Sequence, residues 1–218
     1  MKAWTSRPTT DGAAAQRSSI NDLIRRFSWL VHPLALAPLV LLLWQFKTDQ
    51  LTANPIQFIT HFTGSTALIL LMLSLAVTPV KQLTALSALT PLRKRLGLWG
   101  FFYASSHLTI FIGLDYFFDW QLLWLELSEK RYVLVGFTAW LVMLPLAVTS
   151  TKGWQKRLGR RWTLLHRTVY AVTPLAVVHY VWLVKSDYRE PLIYGAVVAI
   201  LLALRIKKIA ARLPTLSK

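Results

Sequence analysis

The hydrophobic residues of this chain gather into long blocks that are separated by short charged segments. A soluble domain would instead alternate short apolar and polar stretches, because only one face of each helix or strand is buried. Most of the blocks approach the ~20 residues that an α-helix needs to cross a bilayer, so the pattern predicts an all-α integral membrane bundle of about six transmembrane helices. The predicted spans are Trp29–Phe46, Phe58–Val77, Leu98–Phe117, Tyr132–Thr149, Leu164–Val184 and Leu192–Leu204.

The distribution of charge predicts how these spans are oriented. The chain has 25 Lys and Arg residues and a net charge of +16, and its basic residues are concentrated in alternate segments. Only Lys47, Lys130, Arg131, Lys185 and Arg189 lie in the other loops. By the positive-inside rule both termini are cytoplasmic, which agrees with an even number of spans. The basic excess therefore indicates membrane topology, and we expect no nucleic-acid partner.

The polar segments define the predicted domain organisation. Residues 1–28 are predicted to form a polar, basic cytoplasmic tail, residues 29–208 the six-helix transmembrane domain, and residues 209–218 a second cytoplasmic tail. A cleaved signal peptide at the N-terminus is a weaker interpretation, because the polar segment before the first apolar block is long and that block is long enough to span the membrane. Asp115–Arg131 is predicted to be an amphipathic segment at the outer interface, serving either as a docking face or as a plain connection.

The absence of cysteine restricts the possible redox chemistry. It excludes structural disulfides, cysteine-ligated iron–sulfur clusters and the covalent attachment of c-type haem. A redox cofactor in this chain must therefore be held by histidine or be organic.

Three histidines lie inside predicted spans, His107 in the third and His166 and His179 in the fifth. Ionisable residues are costly in a membrane and indicate a functional site, and neutral imidazole is the usual ligand of b-type haem iron. His166 and His179 are separated by a rise of ~20 Å along a helix, so one haem cannot use both. By estimated depth, His107 pairs with His179, and the haem iron is the predicted metal. The alternative is that these histidines bind no cofactor and only form hydrogen bonds inside the bundle.

His166 then lacks a histidine partner. It is predicted either to ligate a second haem or to contact a flavin or a quinone beside Arg161, Trp162 and Arg167. For these arginines the alternative is ordinary positive-inside charge. His61 and His32 are predicted to be interfacial, where a histidine costs little.

A bis-histidine iron has no open coordination position, which favours electron transfer over substrate chemistry. The sequence has no Gly-rich nucleotide loop and no nucleophile constellation, so we expect an electron-transfer subunit rather than an enzyme. Two other functions stay open: a self-contained transmembrane reductase of metal ions or oxygen, and a small permease whose histidines relay protons.

Short motifs from the second span to the last one resemble a known family. They are His61-Phe62-Thr63-Gly64, Leu96-Gly97-Leu98-Trp99, His107-Leu108-Thr109, Leu158-Gly159-Arg160-Arg161-Trp162, Leu165-His166, His179-Tyr180-Val181-Trp182 and Pro191-Leu192-Ile193-Tyr194-Gly195. In their order and setting they resemble the MsrQ family, the haem-binding membrane subunits of bacterial periplasmic protein-methionine-sulfoxide reductase systems. This family is related to the membrane domains of ferric reductases and NADPH oxidases.

The resemblance implies a bacterial inner-membrane, ferric-reductase-like protein with one or two b-type haems ligated by His107, His166 and His179. It also implies an association with FMN, and electrons supplied by the quinone pool or by a cytoplasmic flavin reductase. The implied partner is a periplasmic molybdopterin-containing catalytic subunit, joined as a heterodimer, that reduces oxidised methionines in envelope proteins. The third span has one histidine where two-haem ferric reductases have two, which leaves the number of haems open.

Overall fold

The computed structural model describes residues 10–210, which are helical almost throughout. These residues form ten α-helices: α1 (Thr10–Phe27), α2 (Val31–Lys47), α3 (Pro55–Thr84), α4 (Thr90–Ile110), α5 (Trp120–Glu129), α6 (Arg131–Val148), α7 (Lys152–Leu158), α8 (Arg160–Arg167), α9 (Val169–Leu183) and α10 (Arg189–Ala210). The prediction of an all-α protein is confirmed.

Four helical segments of the described residues are long and apolar enough to cross a membrane: Ala14–Lys47, Pro55–Thr84, Ser87–Asp115 and Arg131–Val148. The first two predicted spans lie inside these segments, and the third and fourth overlap them but extend past their ends, to Phe117 and Thr149. The fifth predicted span runs through α8 and α9, which are divided at Thr168, and the sixth lies within α10. The total of six spans and the orientation of the termini stay predictions.

Helix α3 is the centre of the bundle. In the most apolar stretch of this helix, half of the residues are buried. In the corresponding stretches of the other three segments, 11–17% of the residues are buried. Three neighbouring side chains show why: Leu70 packs towards α2 and α4, Leu68 towards α9 and α10, and Leu71 towards α6 and α9. A helix that is apolar all round is suited to such a position, because each of its faces meets another helix.

The outward faces of the bundle are apolar and exposed. Leu34 is 70% exposed, and Leu192 and Ile193 are each 62% exposed. A water-soluble protein of this size seldom exposes so large an apolar surface. In a membrane this surface contacts lipid tails, which are as apolar as leucine side chains.

Helix α1 lies in the predicted N-terminal tail, of which residues 1–9 are outside the described residues. Its apolar residues Ile20, Leu23, Ile24 and Phe27 repeat at helical spacing, and much of this stripe is exposed. An amphipathic helix of this kind is typical of a membrane surface. The side-chain oxygen of Asn21 accepts a hydrogen bond of 3.0 Å from the N–H of Ala88, which connects the tail to the turn before α4.

A tyrosine from α4 attaches α2 to the bundle. Tyr103 is 1% exposed, and its hydroxyl donates to the carbonyl of Ala35 at 2.7 Å and accepts from the N–H of Leu39 at 3.2 Å. These two groups of α2 pair directly in a regular helix. Pro38 lies between them and disturbs this part of the helix. The Tyr103 hydroxyl therefore completes the hydrogen bonding of α2 beside a proline.

An irregular connection brings α5 across one end of the bundle. Helix α4 continues into a π-helical turn, Phe111–Asp115. Phe117 and Phe118 then have φ angles of 47° and 59°, a conformation that bulky residues rarely adopt. Asp119 begins α5 by accepting hydrogen bonds from the next backbone N–H groups. This end of the bundle is called the α5 end, and the opposite end is called the α8 end.

Candidate functional site

A cavity of about 1070 Å³ lies inside the bundle towards the α5 end. Helices α3, α4, α6 and α9 form its walls, and α5 lies across its mouth through Trp120, Leu123 and Trp124. Leu71, Met143 and Val172 form its apolar inner part. The cavity is large enough for a cofactor, since binding pockets typically have volumes of roughly 300–1,000 Å³.

His107 of α4 and His179 of α9 face each other in this cavity. Their ring centroids are 6.2 Å apart and their ring planes are inclined by 83°. The structure thus brings together the two histidines that the sequence predicts as a pair, although they are distant in the chain. Helices α4 and α9 each pack against α3, and this arrangement brings the two side chains to one place.

The hydrogen bonds of the two rings fix their tautomers. Nδ1 of His107 bonds to the carbonyl oxygen of Thr60 at 2.9 Å, and Nδ1 of His179 bonds to that of Tyr132 at 2.6 Å. A carbonyl only accepts, so each Nδ1 carries the proton and each Nε2 keeps its lone pair. Metal-ligating histidines typically have this pattern, in which one nitrogen donates to a carbonyl while the other binds the metal.

These observations fit a haem iron held between the two rings. Histidine nitrogen binds metals at about 2.0–2.1 Å, so two imidazoles on opposite sides of one ion have centres about 6 Å apart. The observed separation of 6.2 Å agrees with this requirement. Trp140 and Phe137 line the same space. Trp140 stacks with Phe137 and with Phe101, and its indole N–H donates to Ser105 at 3.0 Å. Such a flat apolar wall suits a macrocycle.

His61 also lines the cavity, nearer the α5 end. Its ring meets that of Tyr180 edge to face, with centroids 5.2 Å apart, and the Tyr180 hydroxyl donates to Glu190 at 2.7 Å. Its side chain is exposed, and its predicted interfacial position stays a prediction. His32 is exposed at the α8 end, where its Nδ1 accepts a hydrogen bond of 3.1 Å from Trp99. It therefore has the opposite tautomer to His107 and His179.

His166 does not line the cavity. Its ring stacks on Trp162 at 3.9 Å, and its Nδ1 donates to the Trp162 carbonyl at 3.1 Å. Nε2 is buried, and it has no hydrogen-bond partner among the described residues. Trp162 donates its indole N–H to the Thr149 carbonyl at 2.9 Å, while Arg161 and Arg167 are exposed. Of the predicted flavin or quinone region, Trp162 is the residue that stacks on His166.

A cluster of two arginines and a tyrosine near the α8 end was not predicted. The guanidinium carbon of Arg205 lies 4.6 Å from the ring centroid of Tyr170, and the guanidinium of Arg93 donates to the Tyr170 hydroxyl at 3.4 Å. Arg205 also donates to the Leu75 carbonyl at 3.2 Å. In the sequence these arginines look like ordinary positive-inside charges, and only the packing shows that they converge on one side chain.

The α5 end has an ion pair outside the spans. Nζ of Lys130 lies 2.6 Å from a carboxylate oxygen of Glu126, one turn away in the chain. The hydrogen bond from the ammonium group to this carboxylate raises the pKa of Lys130 above its ordinary value. The pair fastens the end of α5 to the start of α6.

Comparison with known proteins identifies the family. The model of the family described as ferric reductase like transmembrane component matches residues 63–177, more than half of the chain. The protein-methionine-sulfoxide reductase heme-binding subunit MsrQ of Xanthomonas campestris pv. campestris (strain 8004) is 47% identical over 192 residues, covering 85% of this chain and 88% of that protein. The chain belongs to the MsrQ family.

Other MsrQ proteins are similarly close. The MsrQ protein of Xanthomonas oryzae pv. oryzae (strain MAFF 311018) is 46% identical over 190 residues, covering 84% of this chain and 87% of that protein. The MsrQ protein of Herminiimonas arsenicoxydans is 45% identical over 162 residues, covering 73% and 74%. No solved structure matches the chain significantly. The MsrQ resemblance is thereby confirmed, and the chain is a multi-pass membrane protein.

Proposed function

We propose that this chain is a haem b electron-transfer subunit of the bacterial inner membrane. It takes electrons from the quinone pool or a cytoplasmic flavin donor and delivers them to a periplasmic molybdopterin-containing methionine sulfoxide reductase. The catalytic partner, bound as a heterodimer, repairs oxidised envelope proteins, and this chain has no substrate chemistry of its own. The names of its relatives support the haem and the reductase system.

The observation that carries the proposal is that His107 and His179 face each other with the same tautomer. Each ring donates its Nδ1 proton to a backbone carbonyl, so each has an Nε2 lone pair available for iron, and the ring centroids are 6.2 Å apart. Bound haem supplies one-electron transfer at this point. His107 and His179 would hold the haem, and iron ligated by two histidines has no open coordination position, which suits electron transfer rather than substrate chemistry.

The α8 end is the proposed site of a second cofactor. His166 has a buried Nε2 without a hydrogen-bond partner in the described part of the chain, which makes it a suitable ligand. It would hold a second haem, or contact FMN or a quinone together with Arg161, Trp162 and Arg167. The proposed topology of six spans with cytoplasmic termini puts this region on the side of the electron donor.

Optical spectroscopy of the detergent-purified protein tests the haem proposal. We expect a low-spin b-type spectrum on reduction, with haem per chain measured as pyridine haemochromogen. The substitutions His107→Ala and His179→Ala should each remove most of this haem, because each removes one axial ligand. His32→Ala is the matched control, since this histidine is exposed and has the opposite tautomer. We expect His61→Ala to leave the band positions nearly unchanged.

Two results would contradict this assignment. Full haem content in both His107→Ala and His179→Ala would refute the pairing, and a haem-free wild-type protein after expression with sufficient haem would favour a permease. A stoichiometry of two haems that falls to one in His166→Ala would support the second haem site.

The partner and the donor need separate tests. We expect a tagged form of this chain to co-purify a periplasmic molybdopterin protein from membranes. Reduction of the bound haem by a quinol, compared with reduction by NADH and a flavin reductase, distinguishes the two proposed donors. If no periplasmic protein co-purifies and ferric iron or oxygen reoxidises the haem in turnover, the self-contained reductase is favoured instead.

A further inference from the structure

The two facing histidines lie in matching surroundings. The carbonyl that accepts from His107 belongs to Thr60, 47 residues earlier, and the carbonyl that accepts from His179 belongs to Tyr132, also 47 residues earlier. In both cases a glycine follows the carbonyl residue after one helical turn, Gly64 in α3 and Gly136 in α6. The same three parts therefore occur twice: a carbonyl, a glycine one turn later, and a histidine from another helix.

Each glycine lies directly against the imidazole ring. A Cβ atom added to Gly64 would be 3.1 Å from Nδ1 of His107, and one added to Gly136 would be 2.6 Å from Nδ1 of His179. Both glycines are inside regular helices, so the requirement is for space rather than for an unusual φ angle. A glycine in a helix destabilises it relative to alanine by roughly 0.5–1 kcal/mol, so its presence at these two contacts needs a reason.

We propose that Gly64 and Gly136 are positioning residues for the haem ligands, an inference that rests on the proposed function. The open space at each glycine lets the ring lie against the neighbouring helix, where its Nδ1 reaches the carbonyl one turn away. A methyl group there displaces the ring, breaks the Nδ1 hydrogen bond and turns Nε2 away from the cavity. A ligand geometry is productive only when such supporting contacts hold it within about 0.5 Å.

The two histidine units differ in how closely they are packed, and this difference predicts which glycine substitution has the larger effect. His179 has the shorter hydrogen bond, 2.6 Å against 2.9 Å for His107, and the closer approach to its glycine. A Cβ at 2.6 Å requires the ring to move, whereas one at 3.1 Å requires a shift of only a few tenths of an ångström. Gly136→Ala should therefore be more damaging to haem binding than Gly64→Ala.

The experiment compares Gly136→Ala and Gly64→Ala with Gly113→Ala in the purified full-length protein. Gly113 is the matched control, because its added Cβ would be 3.3 Å from the Phe118 ring, nearly as close as the contact at Gly64, while neither Gly113 nor Phe118 lines the cavity or touches a histidine. Haem affinity, the electron paramagnetic resonance of the ferric haem and its midpoint potential are measured for each variant. The tautomer of each ring in the haem-free protein is read from ¹⁵N-histidine NMR.

We expect Gly136→Ala to weaken haem binding roughly 10–100-fold, the range for losing a hydrogen-bonding partner of a metal-bound histidine. Gly64→Ala should change the resonance signature with a smaller loss, and Gly113→Ala should change neither. Unchanged haem affinity and resonance in Gly136→Ala would overturn the inference while the wild-type haem still supported the proposed function. So would an equal effect of Gly64→Ala and Gly113→Ala, a comparison that decides the matter even if Gly136→Ala does not fold. A wild-type protein without haem would overturn both proposals.

Discussion

Substitution of Tyr103 by phenylalanine tests how α2 is held to the bundle. The change removes only the hydroxyl group, which donates to the Ala35 carbonyl at 2.7 Å and accepts from the Leu39 N–H at 3.2 Å. Hydrogen bonds between membrane helices contribute on average about 0.6 kcal/mol and at most about 1.7 kcal/mol each. Two bonds at a side chain that is 1% exposed therefore predict a destabilisation of about 1–3 kcal/mol.

The assay is reversible unfolding of purified Tyr103→Phe in mixed micelles, compared with wild type and with Tyr188→Phe. Tyr188 is 44% exposed, so loss of its hydroxyl should change the free energy of unfolding little. We also expect faster amide exchange at Leu39, because its N–H loses a partner next to Pro38. A change below about 0.3 kcal/mol with normal exchange at Leu39 would refute the reasoning, and would mean that Leu39 pairs directly with Ala35 when the hydroxyl is absent.

Two further predictions concern helix ends. Asn54 begins α3 by accepting a hydrogen bond of 3.2 Å from the Gln57 N–H. Asn54→Ala should therefore lower the free energy of unfolding by about 0.5–2 kcal/mol, and Asn54→Ser should restore it. Equal stability of the wild type and both variants would contradict this role. Glu126→Gln should lower the raised pKa of Lys130, and the pH dependence of lysine acylation measures this change. In the native protein the stabilisation from the ion pair is complete at neutral pH. It is lost as the pH rises past the ordinary lysine pKa of 10.5 and through the raised pKa. An unchanged acylation profile would show that the ion pair is not formed in solution.

The helices of the membrane domain could be predicted because lipid allows few alternatives. A spanning segment must satisfy its own backbone hydrogen bonds and present apolar side chains, so long apolar blocks indicate helices directly. The ends were harder to predict. The second predicted span, Phe58–Val77, lies within a longer helix, Pro55–Thr84, which begins at the Asn54 cap and ends before Ala85 with φ of 58°. Neither of these signals is hydrophobic.

The candidate site could be predicted only in part. The expected depths of His107 and His179 along their helices suggested a pair, and the structure brings their rings together, while haem ligation itself stays a prediction. The carbonyls of Thr60 and Tyr132 could not be identified, because every residue has a carbonyl and its side chain says nothing of the partner. The contacts of Gly64 and Gly136 with the histidine rings could not be predicted either, since each contact is made between two different helices.

The spacing of the two histidine units has a consequence for biosynthesis. Each unit is contained in one continuous stretch of the chain, the first within residues 60–107 and the second within residues 132–179. All parts of the His107 unit are thus synthesised before α6, which begins at Arg131. Under the proposed ligation by both histidines, haem binding requires α9, so cofactor loading becomes a late step of assembly.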